Sequence, residues 1–260
     1  MINSTSNKQV KRVTALRTKA KARKEEEAYV AEGLRMCREC SPEETEILYV
    51  TESFAAQEEN RRWLSSYRWD LVTDIVMNVM ADTKTPQGVL AIVKHRRYEL
   101  GDVLPADGGR AHLMILENIQ DPGNLGTIIR AGEGAGITGV IMSRDTADIY
   151  NPKVIRSTMG SIFRVPFVYA EDLKAACLEL KGAGVRLFAA HLKAENNYDK
   201  EDYTDHVGFL IGNEANGLTD DTAALADCYI RIPMAGRVES LNAAVAASVL
   251  MFETARQRRG

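Results

Sequence analysis

The chain has 260 residues, of which 45% are hydrophobic and 27% are charged, and its formal net charge is −3. These values are typical of a soluble globular protein with one large or two ordinary domains and a sizeable core. No run approaches the roughly 18 consecutive apolar residues of a membrane helix, and the basic N-terminus lacks the apolar core of a signal peptide, so we expect a cytoplasmic protein without a membrane partner.

The first 24 residues are strongly basic. They contain eight Lys and Arg residues and no acidic residue, which is the electrostatic pattern of a segment that faces phosphates. A solvated basic terminus without a partner would have the same composition. Further on, Cys37 and Cys40 form a CxxC pair, but a metal site needs a second pair, and Cys177 and Cys228 stand alone. We therefore expect no metal site.

The next segment predicts a small α/β domain at residues 1–100. Apolar runs and turn signals place strands at residues 28–33, 46–51, 69–73 and 89–93, and helices at residues 57–66 and 74–80. The segment 98–110, rich in Gly and Pro, is the best candidate for a linker.

Residues 110–260 show a regular βα alternation. The predicted strands are 112–116, 139–142, 165–169, 185–190, 207–211 and 229–232, and the predicted helices are 124–134, 152–159, 172–181, 219–225 and 241–257. Such repetition with continuous apolar strands predicts a parallel sheet covered on both faces. The fold class is therefore α/β, with ligands expected in the loops at the carboxyl ends of the strands.

Three of these loops carry most of the polar residues. Residues 117–130 include Asn124, a candidate helix cap, and Arg130 on the same helix. Residues 210–218 contain a carboxylate between glycines, and glycines at strand ends let a ligand approach bare backbone. In the third, Pro233 ends a strand and a Gly236 loop leads to a helix whose predicted N-cap is Ser240.

Other sites are less well supported. The glycine-rich run at residues 132–136 follows a helix, whereas a dinucleotide fingerprint follows a strand and opens a helix. The histidines are scattered and form no nucleophile and base set. Among them, only His191 lies at a predicted strand end next to the expected site.

Taken together and in order, the three loops resemble the three signature motifs of the SpoU (TrmH-like) family of RNA ribose 2′-O-methyltransferases, in the SPOUT superfamily. The residues that match are Asn124 and Arg130, then Gly212, Glu214 and Gly217, then Ile232-Pro233-Met234 and Ser240-Leu241-Asn242. In addition, Ala31-Glu32-Gly33 and residues 85–91 resemble the substrate-binding domain of that family, which has a ribosomal-protein-like α/β fold.

The resemblance implies S-adenosylmethionine-dependent 2′-O-methylation of a ribose in structured RNA, with ribosomal RNA favoured over transfer RNA. It implies a trefoil-knotted C-terminal domain, an exception to the rule that chains do not thread themselves, and a homodimer with active sites near the subunit interface. Helix 241–257, rich in alanine, and the Asn124 helix are the predicted interface, although the same alanines could pack within one subunit.

The resemblance also assigns roles. Backbone groups of Gly212, Ile232, Met234 and Leu241, helped by His191, would hold the cofactor. A guanidinium is a poor base, so Arg130 is interpreted as a phosphate clamp that stabilises developing alkoxide charge.

The remaining predicted catalytic residues are Asn124, Glu214, Ser240 and Asn242. Glu214 would orient Arg130 or Asn124, and the last two would position the nucleotide or cofactor. Simpler roles, a turn residue for Glu214 and a helix cap for Ser240, remain open. Two other functions are also compatible with parts of the pattern: a non-catalytic RNA-binding or ribosome-assembly factor that retains the fold, and a nicotinamide-dependent oxidoreductase, which the misplaced glycines disfavour.

Overall fold

The computed structural model describes residues 1–105 and 108–260. Its contacts divide the chain into two compact units. Unit 1 comprises residues 1–96 and 148–163, and unit 2 comprises residues 97–147 and 164–260. Residues 148–163, which belong by sequence to the βα repeats, therefore pack with the N-terminal elements.

The first 96 residues form a four-stranded sheet with helices around it. Its strand order is β1-β4-β2-β3, in which β2 and β3 are parallel and the other neighbours antiparallel. The elements are α1 (Lys8–Thr18), α2 (Ala20–Glu26), β1 (Ala28–Glu32), α3 (Leu34–Glu39), β2 (Thr45–Thr51), α4 (Glu52–Ala56), α5 (Glu58–Leu64), β3 (Trp69–Val72), α6 (Asp74–Met80) and β4 (Val89–Lys94).

The basic N-terminal segment is part of this folded unit, where the sequence predicted a phosphate-facing arm or a solvated terminus. Val10, Val13 and Leu16 of α1 are buried in the core of unit 1. Arg23 is also buried, and its guanidinium lies 2.6 Å from a carboxylate oxygen of Asp148. Arg12 pairs with two glutamates. Part of the positive charge is thus neutralised within the fold, because apolar residues three positions apart make the segment an amphipathic helix.

The rest of the chain supplies the βα repeats. The elements are β5 (His112–Leu116), α7 (Pro122–Ala135), β6 (Gly139–Ser143), α8 (Pro152–Thr158), β7 (Phe167–Ala170), α9 (Leu173–Gly182), β8 (Arg186–Ala190), β9 (Asn196–Asn197), β10 (Val207–Ile211), α10 (Asp220–Ala223), β11 (Cys228–Arg231) and α11 (Ala243–Arg259). Of these, α8 belongs to unit 1.

Seven of these strands form the predicted parallel sheet, which confirms the fold class. Their order is β7-β6-β5-β10-β8-β11-β9, and every neighbouring pair is parallel. Strand β10 lies between β5 and β8, and its Leu210 pairs with Ile115 on one side and Ala189 on the other. Because the strands are parallel, the carboxyl ends of β5, β8, β10 and β11 meet at one edge of the sheet.

The predicted linker contains ordered structure. Leu100–Val103 forms a 3-10 turn, and Val103 is buried in the core of unit 2. It packs against Gly139, where an added Cβ would lie 2.4 Å from the Cβ of Val103. Residues 106 and 107 of this segment lie outside the described residues.

Two predicted helix caps are wrong. Helix α7 is capped by Asp121, whose side chain accepts a hydrogen bond from the backbone N–H of Asn124, and Pro122 occupies the first turn. Helix α11 is capped by Asn242 and not by Ser240. Each observed cap lies two or three residues from the predicted one. Asp, Asn and Ser are about equally good cap formers, so propensity alone could not choose between Asp121 and Asn124, or between Asn242 and Ser240. Over the described ranges, we find no helix that is both long and apolar enough to cross a membrane.

Candidate active site

A cavity of about 460 Å³ opens at the carboxyl ends of β8, β10 and β11, next to the start of α11. This volume is in the usual range of small-molecule sites. The predicted site residues that line it are His191, Gly212, Glu214, Ile232, Met234, Ser240 and Leu241. Seven of the ten predicted residues therefore surround one space.

Two of the remaining residues, Asn124 and Asn242, join Glu214 in a series of hydrogen bonds. The Nδ2 of Asn242 donates to the Oδ1 of Asn124 over 3.0 Å. The Nδ2 of Asn124 in turn donates to Oε1 of Glu214, also over 3.0 Å. These two hydrogen bonds connect one residue from each of the three sequence motifs. Asn242 also caps α11, because its Oδ1 accepts hydrogen bonds from the first backbone N–H groups of that helix.

Glu214 fastens the loop after β5 to the loop after β10. Its carboxylate accepts hydrogen bonds from the backbone N–H groups of Gln120 and Asp121, each over 3.1 Å. Partial burial raises the pKa of Glu214, but these bonds and the one from Asn124 outweigh it, so the pKa is lower than usual. Glu214 is therefore an ionised acceptor at neutral pH. Of the two partners predicted for Glu214, Arg130 and Asn124, the structure shows a hydrogen bond to Asn124.

The loop after β10 is closed tightly on itself. Asn213 and Gly217 exchange backbone hydrogen bonds of 3.0 and 2.8 Å. The Asn213 side chain accepts from the N–H groups of Ala215 and Asn216 and donates to the carbonyl of Asn118. A Cβ on Gly212 would lie 2.1 Å from backbone atoms of Gly217 and Leu218. Any residue other than glycine at position 212 would therefore clash with the backbone of the same loop. Sequence reasoning missed Asn213, although an Asn that follows Gly is a common turn former.

The cavity wall offers unused backbone groups. Within the described chain, the backbone amides of Met234 and Leu241 have no hydrogen-bond partner, and both residues line the cavity. Backbone polar groups that lack a partner in the protein are available to a ligand. His191 is held in place at the rim of the cavity. Its backbone N–H donates to the carbonyl of Ile230, and its ring Nδ1 accepts a hydrogen bond from the backbone N–H of Lys193.

Arg130 stands apart from this arrangement. It does not line the cavity, its side chain is exposed, and among residues 1–105 and 108–260 it has no hydrogen bond or ion pair from its guanidinium. Ser240 lines the cavity without capping a helix. In the same described ranges, no group of three or more His, Cys, Asp or Glu side chains could hold a metal ion.

A parallel α/β sheet with a small-molecule cavity at its strand ends, in a chain that also contains a four-stranded unit, is typical of a two-domain α/β enzyme that binds a small ligand. Residues 111–252 match the SpoU rRNA Methylase family, and the chain belongs to that family. Residues 7–91 match the MRM3-like substrate binding domain.

Individual relatives agree with this assignment. The chain is 37% identical to the 23S rRNA (guanosine-2′-O-)-methyltransferase RlmB of Xanthomonas axonopodis pv. citri, over 62% of this chain and 65% of that protein. It is 28% identical to the 23S rRNA (guanosine(2553)-2′-O)-methyltransferase RlmP of Bacillus subtilis, over 96% of this chain and 97% of the relative. The crystal structure of the SpoU methyltransferase AviRb from Streptomyces viridochromogenes with AdoMet superposes with a TM-score of 0.87 and 25% identity, covering 98% of this chain and 99% of that one.

Proposed function

We propose that this protein transfers a methyl group from S-adenosylmethionine to a ribose 2′-hydroxyl of ribosomal RNA in the cytoplasm. The hydrogen-bond series from Asn242 through Asn124 to Glu214, beside the cavity, is the observation that carries the proposal. The RlmB and RlmP relatives are named as methyltransferases of 23S rRNA, and residues 7–91 match a substrate-binding domain.

The cavity fits S-adenosylmethionine. Met234 and Leu241 offer unpaired backbone amides, and Gly212, Ile232 and His191 complete the wall. Fixed backbone donors and acceptors suit an adenine edge, which presents both kinds of group at a set spacing. When bound, the sulfonium supplies an activated methyl group, so the protein's task is to bind and orient the ribose hydroxyl.

Arg130 is proposed to contact the RNA. Its guanidinium stays protonated, so it would bind a phosphate and stabilise negative charge that develops on the ribose oxygen. Ser240 and Asn242 would position the nucleotide, since Ser240 lines the cavity and Asn242 is fixed at the helix start. The resemblance also implies that this domain is a trefoil knot, which is consistent with the position of β10 between β5 and β8.

A direct assay tests this function. Purified protein incubated with labelled S-adenosylmethionine and a 23S rRNA transcript should transfer the label to one ribose 2′-oxygen of the transcript. Because a ribosome-assembly factor would bind the RNA without modifying it, RNA binding in the absence of methyl transfer would contradict the proposal.

We propose that the active enzyme is a homodimer. Val245 and Phe252 lie seven positions apart on α11 and are 48% and 46% exposed. Gly134 of α7 is exposed beside the Phe252 ring. These residues form an apolar α7/α11 face, and a second copy packed on it would cover Val245 and Phe252. The same arrangement would let Arg130, which does not reach its own cavity, serve the cavity of the partner.

Phe252→Arg is expected to convert the dimer to a monomer, because a buried unpaired charge is costly at an interface. Light scattering would measure the change, and methyl transfer should fall with the dimer fraction. Leu178→Arg is the matched control, since Leu178 of α9 is 53% exposed on another helix of unit 2. A Phe252→Arg protein that stays dimeric would rule out this interface.

The exposed lysines of α1 are proposed to contact RNA phosphates. Lys8 and Lys11 are exposed, and no ion pair involves them in the described ranges. Lys8→Ser with Lys11→Ser should weaken RNA binding and reduce the slope of log K against log salt by roughly 0.7 per lost phosphate contact. Point changes are preferable to deletion because α1 contributes to the core. Lys174→Ser, on unit 2, should leave the slope unchanged, and an unaltered slope in the double variant would show that α1 faces solvent.

A further inference from the structure

Two neighbouring strands of the parallel sheet end in loops that are hydrogen-bonded to each other. We call residues 117–121, after β5, the β5 loop, and residues 143–147, at the end of β6, the β6 loop. The backbone N–H of Ala147 donates to the carbonyl of Ile119 over 2.8 Å. Strand β6 lies on the opposite side of β5 from β10, and the β6 loop does not line the cavity. The proposed function therefore gives the β6 loop no role.

Ser143, the last residue of β6, holds the β5 loop through its hydroxyl oxygen. The backbone N–H of Asn118 lies 2.8 Å from the Oγ of Ser143. A backbone N–H can only donate, so the Ser143 oxygen is the acceptor in this bond. The Oγ1 of the buried Thr146 lies 3.2 Å from the same oxygen. The Ser143 hydroxyl is thus itself held within the β6 loop.

Asn118 has an unusual backbone conformation. Its φ is 56°, and among the described residues of unit 2 it is the one non-glycine residue with a positive φ. This left-handed region is unfavourable for most side chains and is tolerated best by asparagine. Besides its bond to Ser143, Asn118 accepts from the Nδ2 of Asn213 at its carbonyl and from the Nε2 of Gln120 at its Oδ1. Three hydrogen bonds therefore hold the turn at Asn118.

The turn at Asn118 determines where the following backbone amides point. The N–H groups of Gln120 and Asp121 both donate to the carboxylate of Glu214. The Nε2 of Gln120 also donates to the carbonyl of Asp145, which ties this part of the β5 loop to the β6 loop a third time. Because φ and ψ are the only soft backbone dihedrals, a different φ at Asn118 would redirect both amides away from one shared carboxylate.

We propose that Ser143 is a positioning residue for methyl transfer. By accepting the N–H of Asn118, it fixes the turn that directs two backbone amides to Glu214, and Glu214 in turn orients Asn124. Small displacements of the groups that orient a substrate slow a reaction strongly, even when their cause lies far from the reacting atoms. The proposal rests on the proposed function, in which Glu214 and Asn124 serve methyl transfer, and it adds a residue outside the three sequence motifs.

Ser143→Ala removes the acceptor and tests this role with two independent measurements. Proton exchange followed by NMR should become about tenfold faster at the amides of Gln120 and Asp121, as expected for the loss of one hydrogen bond, and should not change at residues 140–142 inside β6. The single-turnover rate of methyl transfer to a 23S rRNA transcript should fall about tenfold. The Kd of S-adenosylmethionine should stay within about twofold, because Ser143 does not line the cavity. Ser143→Thr, which keeps the hydroxyl, should restore exchange and rate.

Thr138→Val is the matched control. Thr138 precedes β6 and is half-buried like Ser143, and its Oγ1 accepts the backbone N–H of His112 over 3.1 Å. This is the same type of bond between β5 and β6, but it lies at the opposite ends of the two strands. Its loss should lower the Tm and leave the methyl-transfer rate and the exchange at Gln120 and Asp121 unchanged.

Exchange at Gln120 and Asp121 that is as slow in Ser143→Ala as in Thr138→Val would overturn the proposal. Faster exchange at these amides with a wild-type rate of methyl transfer would also overturn it, because the bond would then hold the loop without serving the reaction. If the wild-type protein transferred no methyl group, the proposed function would fail, and the exchange measurements would still show whether Ser143 holds the β5 loop.

Discussion

Replacing Arg130 by alanine is expected to reduce methyl transfer by about a hundredfold to a thousandfold, the usual cost of losing one group that stabilises charge in the transition state. The affinity for S-adenosylmethionine should stay within about twofold, because Arg130 does not line the cavity. Folding should also be unaffected, since this exposed side chain makes no hydrogen bond or ion pair within the described ranges. Single-turnover kinetics and calorimetry would measure the two effects separately.

Two further substitutions define what Arg130 does. Arg130→Lys keeps the positive charge but loses the planar, two-pronged donor geometry, so intermediate activity is expected. Arg144→Ala removes another exposed arginine of unit 2, whose one ion pair among the described residues is with the exposed Glu171, and should leave activity unchanged. Loss of cofactor binding in Arg130→Ala would show that this residue belongs to the cofactor site.

Gly212→Ala is expected to eliminate cofactor binding at concentrations up to about one hundred times the wild-type Kd, and to destabilise unit 2 by about 1–3 kcal/mol. The added Cβ would lie 2.1 Å from the carbonyl carbon of Gly217 and from the nitrogen of Leu218. Both atoms are backbone, and the loop is closed by two hydrogen bonds between Asn213 and Gly217. The loop must therefore shift, and with it one wall of the cavity. Calorimetry and thermal unfolding would detect these changes.

Gly236→Ala is the matched control for this variant. Gly236 lies in the loop that leads to α11, and an added Cβ would meet no atom within 4 Å. Its stability and cofactor affinity should be those of the wild-type protein. Wild-type affinity in Gly212→Ala as well would show that the cavity does not depend on the closed loop.

A mixture of the Arg130→Ala and Gly212→Ala proteins tests whether Arg130 acts on the cavity of the partner subunit in a dimer. In a mixed dimer, the Arg130→Ala subunit has an intact cavity and the Gly212→Ala subunit has an intact arginine. If Arg130 serves the partner's cavity, an equal mixture should recover roughly a quarter of wild-type activity, because half of randomly formed dimers are mixed and each has one complete site. If Arg130 serves its own cavity, the mixture should be as inactive as either variant.

The sequence by itself determined the elements whose signals are local. The period of the apolar residues indicated the strands of the parallel sheet, since a strand buried on both faces reads as a continuous apolar run. The strand ends then indicated where Gly212, Glu214 and Leu241 would meet. All of them line one cavity, because parallel strands bring their carboxyl ends to the same edge.

Only the tertiary structure decided the features that depend on residues far apart in the chain. The sequence analysis did not predict helices α1 and α2, because their many charged residues outweighed the apolar residues that pack against the strands of unit 1. The buried Arg23 is paired with Asp148, which lies far away in the sequence. Glu214 accepts a hydrogen bond from Asn124, ninety positions earlier, and Asn242 donates to Asn124 from 118 positions further along the chain. Periodicity and turn propensity describe neighbours along the chain, whereas a side chain's hydrogen-bond partner is set by how the whole chain packs. The sequence therefore left Arg130 and Asn124 as alternative partners of Glu214, and only the fold selected Asn124.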